Sequence, residues 1–365
     1  PRTIEQCAAL ATERFGASGV AMLSAPPLVA GRPTRICGMV YVMGEGGECQ
    51  SPLVYQVRGA GRDGREYSSR LLGGSYYLHL ARWCLEQDDP GAAAKYLDQA
   101  VAVARDDAAT HIYASRLLQE LGSGDKALAM AETAVRLDPD FFEGHDMMAN
   151  LLSARGDRAG AIREYLRALE GNPNPAPVYS NLGNAYFSDG DLARAAANLK
   201  QALALDSTLA NAYLGLGRTL EAQGSAEEAL RQYGLARRRD PGHEPARHAE
   251  ASLLLNLGRG GDAKNLLQDG LALRPSSGLL LSDLGLVYLR EDNLDSAIVA
   301  FERALASDPS MLAARGNLAV AYEARGMIAD AVREYRAYAE AAPPGGSRVR
   351  AEEALRRLAG SAPAR

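Results

Sequence analysis

The sequence predicts an all-α repeat array that ends in a short helix and is preceded by a small α+β segment. Two ladders and one periodicity predict it. Pro139, Pro173, Pro241, Pro275, Pro309 and Pro343 are spaced by 34 or 68 residues, with Ser207 at the vacant step. Ala93, Ala127, Ala161, Ala195, Ala229, Ala263, Ala297 and Ala331 keep an unbroken 34-residue step. Between prolines, apolar residues recur at the spacing of one helical face, interrupted once per step.

Each step therefore reads as two helices and a break. In residues 176–209, Tyr179, Leu182, Gly183 and Tyr186 sit at i, i+3, i+4 and i+7. Gly190-Asp191 breaks the helix, and Ala195, Leu199 and Ala202 mark the inner face of the next one. The eighth position is small in each step, as in Gly183, Gly217 and Gly285. A glycine inside a helix costs roughly 0.5–1 kcal/mol. Repeating that cost implies a repeated steric need, where the two helices of a hairpin cross closely. The closing proline cannot continue the helix and sets the angle to the next pair.

Composition fits this architecture and excludes others. Hydrophobic residues make up 47% of the 365, ample for a core and too many for a disordered chain. A net charge of −5 gives no electrostatic reason to expect nucleic acid or an anionic membrane as partner. No apolar run reaches the ~18 residues of a membrane span, and Val20–Ala30 is broken by Pro26 and Pro27. The sequence begins at Pro1 without Met, so a cytoplasmic and a periplasmic location both stay open, as does the oligomeric state. Cys7, Cys37, Cys49 and Cys84 show neither zinc-ligand spacing nor the density of a disulfide scaffold.

The repeat resembles the tetratricopeptide family. The clearest copies are Tyr213, Leu216, Gly217, Gly224, Ala229, Tyr233, Ala236, Pro241, and Leu281, Leu284, Gly285, Tyr288, Ala297, Phe301, Ala304, Pro309. Eight repeats fit in register from 74 to 345, leaving 1–73 as an N-terminal segment and 346–365 as a capping helix and tail. The largest departures are Cys84 for an aromatic residue, Ser115 for the small glycine and Glu250 for a leucine. The resemblance implies a superhelical solenoid. Near 348–359 a last helix carries the stripe Ala351, Ala354, Leu355 and Leu358, with Arg348, Arg350, Glu352, Arg356 and Arg357 facing away. Such a polar-backed helix suits the end of a solenoid.

Residues 1–73 read differently. Thr3 and Gln6 form a capping box for a helix with face Ile4, Cys7, Ala8, Ala11 and Phe15. Residues 18–25, 36–44 and 49–58 read as strands, the last two around Glu45-Gly46-Gly47-Glu48, and Pro52 places the last at an edge. With Gly46-Gly47 as a two-residue turn, Cys49 lies opposite Gly44 and Cys37 opposite Gln56.

No catalytic constellation emerges, so the expectation is a non-catalytic protein without cofactor or metal. Gly59-Ala60-Gly61-Arg62-Asp63-Gly64 matches the dinucleotide fingerprint, but the chain then enters the first repeat with no second strand, so a hinge is the better reading. His111 and His145 share the fourth position of adjacent repeats and lack a carboxylate or thiol at ligand spacing; they read as packing histidines. Phosphate-loop, H-E-x-x-H and G-x-S-x-G motifs are absent.

The resemblance implies a concave groove lined by the first helix of each repeat, binding a protein or peptide segment. Its ninth position supplies Arg82, Arg116, Asn150, Asn184 and Arg218, then Ser252, Leu286 and Val320; its sixth supplies Asn181, Asp283 and Asn317. Arg and Asn can hold an extended peptide by its backbone or its carboxylates. The family's Lys-and-Asn carboxylate clamp is not reproduced, since Ser180 stands at the fifth position beside Asn181 and Asn184. An adaptor is the leading expectation. The alternatives are a recruiting arm for an enzyme whose catalytic part lies elsewhere, and a structural subunit of an envelope or filament assembly.

Overall fold

The computed structural model describes residues 19–23, 37–43 and 49–56 and the continuous stretch 69–360. The helix expected over 3–15, the glycine motif at 59–64 and the tail at 361–365 lie outside the described residues. The chain divides into two compact units, Pro1–Leu151 and Leu152–Arg365.

The first unit contains three antiparallel strands in the order β1 (Gly19–Leu23), β2 (Cys37–Met43), β3 (Cys49–Gln56). Cys37 pairs with Gln56 and Pro52 with Tyr41, in a strand at the sheet's edge. A bulge at Val42/Met43 sets Cys49 opposite Met43 rather than Gly44, because one residue of β3 is left over. Helices follow: α1 (Ser69–Glu86), α2 (Pro90–Val103), α3 (Ala108–Glu120), α4 (Gly124–Leu137) and α5 (Phe142–Arg155), whose residues from Leu152 on belong to the second unit.

The second unit continues with α6 (Arg158–Ala168), α7 (Ala176–Asp189), α8 (Leu192–Leu205), α9 (Ala210–Ala222), α10 (Ala226–Arg239), α11 (Glu244–Asn256) and α12 (Gly260–Leu273). It ends with α13 (Gly278–Arg290), α14 (Leu294–Ser307), α15 (Leu312–Arg325), α16 (Ile328–Ala341) and α17 (Gly346–Gly360). From α3 onward, each first helix of a pair starts 34 residues after the last, at Ala108, Phe142, Ala176, Ala210, Glu244, Gly278 and Leu312.

Local chemistry sets the joints. The fifteenth residue of each repeat has a left-handed backbone: Gly122, Gly156, Gly190, Gly224, Gly258 and Gly326, with Asp88 and Asp292 the non-glycine exceptions. Aspartate is among the few L-residues that tolerate this region. The next residue caps the second helix; Asp89, Asp157, Asp191 and Asn293 accept the backbone N–H three residues on. Each such cap contributes about 1 kcal/mol. Before the closing proline or its substitute, Asp138, Asp206, Asp240 and Asp308 each accept the N–H two residues ahead, turning the chain into the next repeat.

Every alanine of the ladder is fully buried, from Ala93 to Ala331. The small eighth residue has a more specific reason than helix crossing alone. A Cβ on Gly217 would run into the Tyr233 ring, and one on Gly285 would lie 2.6 Å from the Phe301 ring. The space is filled by the side chain at the twenty-fourth position. The exception at Ser115 obeys the same rule. Its twenty-fourth residue is only Ala131, and the hydroxyl donates to the Ala127 carbonyl at 2.7 Å.

Position four carries a second recurring device. His111 Nε2 lies 3.0 Å from the Arg105 carbonyl and His145 Nε2 2.9 Å from that of Pro139. Arg247 and Arg315 donate to the carbonyls of Pro241 and Pro309, each at 2.9 Å. All four reach back six residues to the joint between repeats, so His111 and His145 act as fasteners. Cys84 is buried, and burial followed by the charge of Asp89 pushes its thiol pKa up, the setting of an inert thiol.

Within 346–360, Ala351, Ala354 and Leu358 are buried in the same cluster as Ala331 and Tyr335, and Arg357 pairs with Glu323.

Candidate functional site

The groove residues expected from the sequence fall into two sets, one in each unit. In the first unit, Arg82 on α1 pairs with Glu120 at 2.9 Å and with Glu86 at 3.5 Å. Glu120 is the main reason its pKa is raised. Arg82 is thus already engaged, in an exposed ion pair. Arg116 on α3 is exposed. Asn150 is half-buried and already engaged, as is Asn181 of the second unit.

In the second unit, α7, α9, α11, α13 and α15 lie in a row, each touching the next. Asn184 is half-buried, its amide oxygen lying where a Cβ on Gly215 of the next repeat would go. Arg218 is exposed and makes no ion pair among the described residues. Its charge reaches Tyr233 and His248, opposing the rise in both their pKa values. Each of these two groups is bonded to a carboxylate. Glu221 accepts the Tyr233 hydroxyl at 2.6 Å. Asp283 is buried and holds His248 Nδ1 at 2.8 Å.

Asp283 therefore does not stand in a groove waiting for a ligand. Burial raises its carboxyl pKa, and His248 opposes the rise. The same hydrogen bond raises the imidazole pKa of His248. Farther along, Leu286 and Leu289 are half-buried, Asn317 is half-buried and Val320 is exposed. The row thus runs from an amide, through an unpaired guanidinium, to an apolar end.

His248 and Tyr233 were not among the sequence candidates. His248 lies 35 residues before Asp283, one more than the repeat step, so a comparison of equivalent positions passes over it. A pairing rule would have found Tyr233: Tyr233 and Tyr335 both donate to a glutamate twelve residues earlier, Glu221 and Glu323, whereas Phe301 faces Leu289 at that offset.

A concavity of about 470 Å³ opens among α10, α11 and α12. Its charges cancel internally, with Arg237 on Glu250 at 3.1 Å and Arg259 on Asp262 at 2.8 Å. It offers a ligand no uniform field. Among the described residues no group of His, Cys, Asp and Glu is arranged to hold a metal ion. No described helix is long and apolar enough to cross a membrane.

Family models agree with this geometry along most of the helical stretch. Models described as TPR repeat and tetratricopeptide repeat match residues 85–151, 149–190, 183–224, 248–310 and 282–346. The chain is a tetratricopeptide repeat protein. This repeat chain is 31% identical over 154 residues to the TPR repeat-containing protein YpiA of Bacillus subtilis, covering 42% of the chain and 36% of YpiA. It is 29% identical over 204 residues to anaphase-promoting complex subunit 7 of Arabidopsis thaliana, 55% of the chain and 36% of that subunit. The matched stretches thus span little more than a third of either relative. Yeast Tom70 shares the fold, with a TM-score of 0.62 at 16% identity over 83% of this repeat chain and 66% of Tom70. Tetratricopeptide repeats commonly mediate protein–protein interaction.

Proposed function

We propose that the chain is a non-catalytic scaffold that holds an extended segment of a partner protein along the row α7–α15. A carboxylate of the segment sits at Arg218, its backbone is read by Asn184, and apolar side chains rest on Leu286 and Val320. The observation that carries this reading is the state of Arg218. It is an exposed guanidinium with no ion pair among the described residues, and its charge is felt by Tyr233 and His248, each already bonded to a carboxylate. A planar guanidinium is suited to bidentate carboxylate recognition. The pairing of Arg82 moves the weight of the proposal from the first unit to the second. A subunit of a large assembly among the relatives, anaphase-promoting complex subunit 7, is in keeping with a scaffold.

The test is affinity recovery from the native cell extract with three baits: the wild-type chain, Arg218→Glu, and Arg238→Glu, an exposed change on α10. The expected result is loss of the recovered partner with Arg218→Glu alone. Equal recovery by all three would refute the assignment.

A further inference from the structure

The tenth residue of each repeat is buried in all but one case. Leu117, Leu151, Leu253 and Val287 are at most 5% exposed, and the same holds at the remaining 34-residue steps through Ala321. The reason is stacking. Val287 belongs to the core cluster of Ala251, Ala263 and Leu267 in the repeat before it, and Leu253 to that of Leu216 and Tyr233. The tenth side chain is thus the one each repeat lays on its predecessor.

Trp83 holds this position in the first repeat and is 43% exposed. It is the only tryptophan in the chain. Its helix α1 has no preceding helical pair among the described residues, so the stack presents an open apolar end there. Leaving a tryptophan half in water forgoes much of what full burial of a large apolar side chain contributes.

We infer that the three-stranded sheet β1–β3 docks on this end and covers Trp83, standing in for the missing preceding repeat. Two observations favour the sheet over other occupants. First, its sequence suits the contact. Three strands gain stability from a hydrophobic face or from packing against a helix, and β2 is apolar in both alternations: Cys37, Met39, Tyr41 and Met43 in one, Val40 and Val42 beside Gly38 in the other. Second, it can reach. Residues 57–68 join β3 to α1 and span up to about 40 Å when extended. Trp83 lies about 20 Å along α1 from Ser69 at 1.5 Å per residue. The same contact would bury Trp83 and an apolar face of the sheet together.

The single tryptophan makes the test direct, using the full chain. The expected result is a blue-shifted emission and slow acrylamide quenching that do not change on dilution. Val40→Asp with Val42→Asp should shift the emission to the red and speed quenching, while the helical circular dichroism is kept. Free quenching in the unmodified chain would overturn the inference. So would shielding that vanishes on dilution, which assigns the end to a second copy, and shielding that the paired aspartates leave untouched.

Discussion

Residues 210–243 and 244–277 are neighbouring copies of one 34-residue plan, yet they fill the same frame with different side chains. In the first copy the eighth residue is Gly217, the Tyr233 ring occupies the space above it, and the ring's hydroxyl is satisfied by Glu221. In the second copy Ala251 meets the smaller Leu267, and the bulk is supplied from another direction. Arg247 stands where Tyr213 stands, buried, donating to the carbonyls of Pro241 and Leu266 at 2.9 and 3.1 Å. Its stem fits because the twenty-seventh residue is Gly270, where the first copy has Ala236; a Cβ there would run into Arg247. Burial, and then Arg237, lowers the pKa of Arg247, with Glu250, Asp269 and Glu244 acting against them. What is kept between the copies is the backbone frame and the filled volume, in keeping with the tolerance of cores for volume-conserving exchange.

The largest effect that would sharpen this comparison is a cavity. Tyr233→Ala removes a ring with no solvent exposure and strands Glu221, so a loss of about 3–5 kcal/mol is expected. Leu267→Ala should cost less, about 2–4 kcal/mol, because the space left is smaller. Urea unfolding followed by circular dichroism gives both values, and a larger loss at Leu267 would break the ring-filling account.

Next come the small residues. Gly217→Ala and Gly270→Ala should each cost about 1–3 kcal/mol through overpacking, against a modest gain in helix propensity. Each is expected to be rescued by a different partner: Gly217→Ala by Tyr233→Leu, which copies Ala251 over Leu267, and Gly270→Ala by Arg247→Tyr, which copies Tyr213 over Ala236. Double-mutant cycles should give coupling of about 1 kcal/mol or more within each pair and none between crossed pairs. Equal rescue by either partner would show that the two solutions are not distinct.

The smallest effect is a pH dependence near neutrality, carried by His248 of the second copy. His248 bonded to Asp283 has a raised pKa, so its contribution to stability is full below its unfolded value of about 6.5 and is lost as pH rises through the folded value. The buried carboxyl of Asp283 is raised as well, which has the same sign at lower pH. The unfolding midpoint should therefore fall between pH 6 and 8, roughly the range of imidazole titration. Asp283→Asn should flatten that slope, and an unchanged slope would assign it to other groups.

The proline and alanine ladders were readable because chemistry and period coincide there: one residue type meets one recurring need. Position four was not, because histidine, tyrosine, arginine and leucine share it, and four of its occupants share only a reach to one carbonyl. The left-handed joint was visible in its glycines and hidden at Asp88 and Asp292. In the candidate site, the ninth position pointed to Arg218 and also to Arg82, and nothing in the spacing told the free cation from the paired one. Glu120 is a neighbour of Arg82 only after the first two hairpins stack. Asp283 appeared as a groove residue because its partner lies one residue off the period.

The central claim is that the row of first helices in the second unit holds a partner through Arg218. The most direct measurement is partner recovery from native extract by the wild-type chain, by Arg218→Glu and by Arg238→Glu, with each bait first shown to keep its helical content. The account predicts that Arg218→Glu loses the partner while Arg238→Glu retains it. Recovery unaffected by Arg218→Glu, or lost with Arg238→Glu instead, would contradict it.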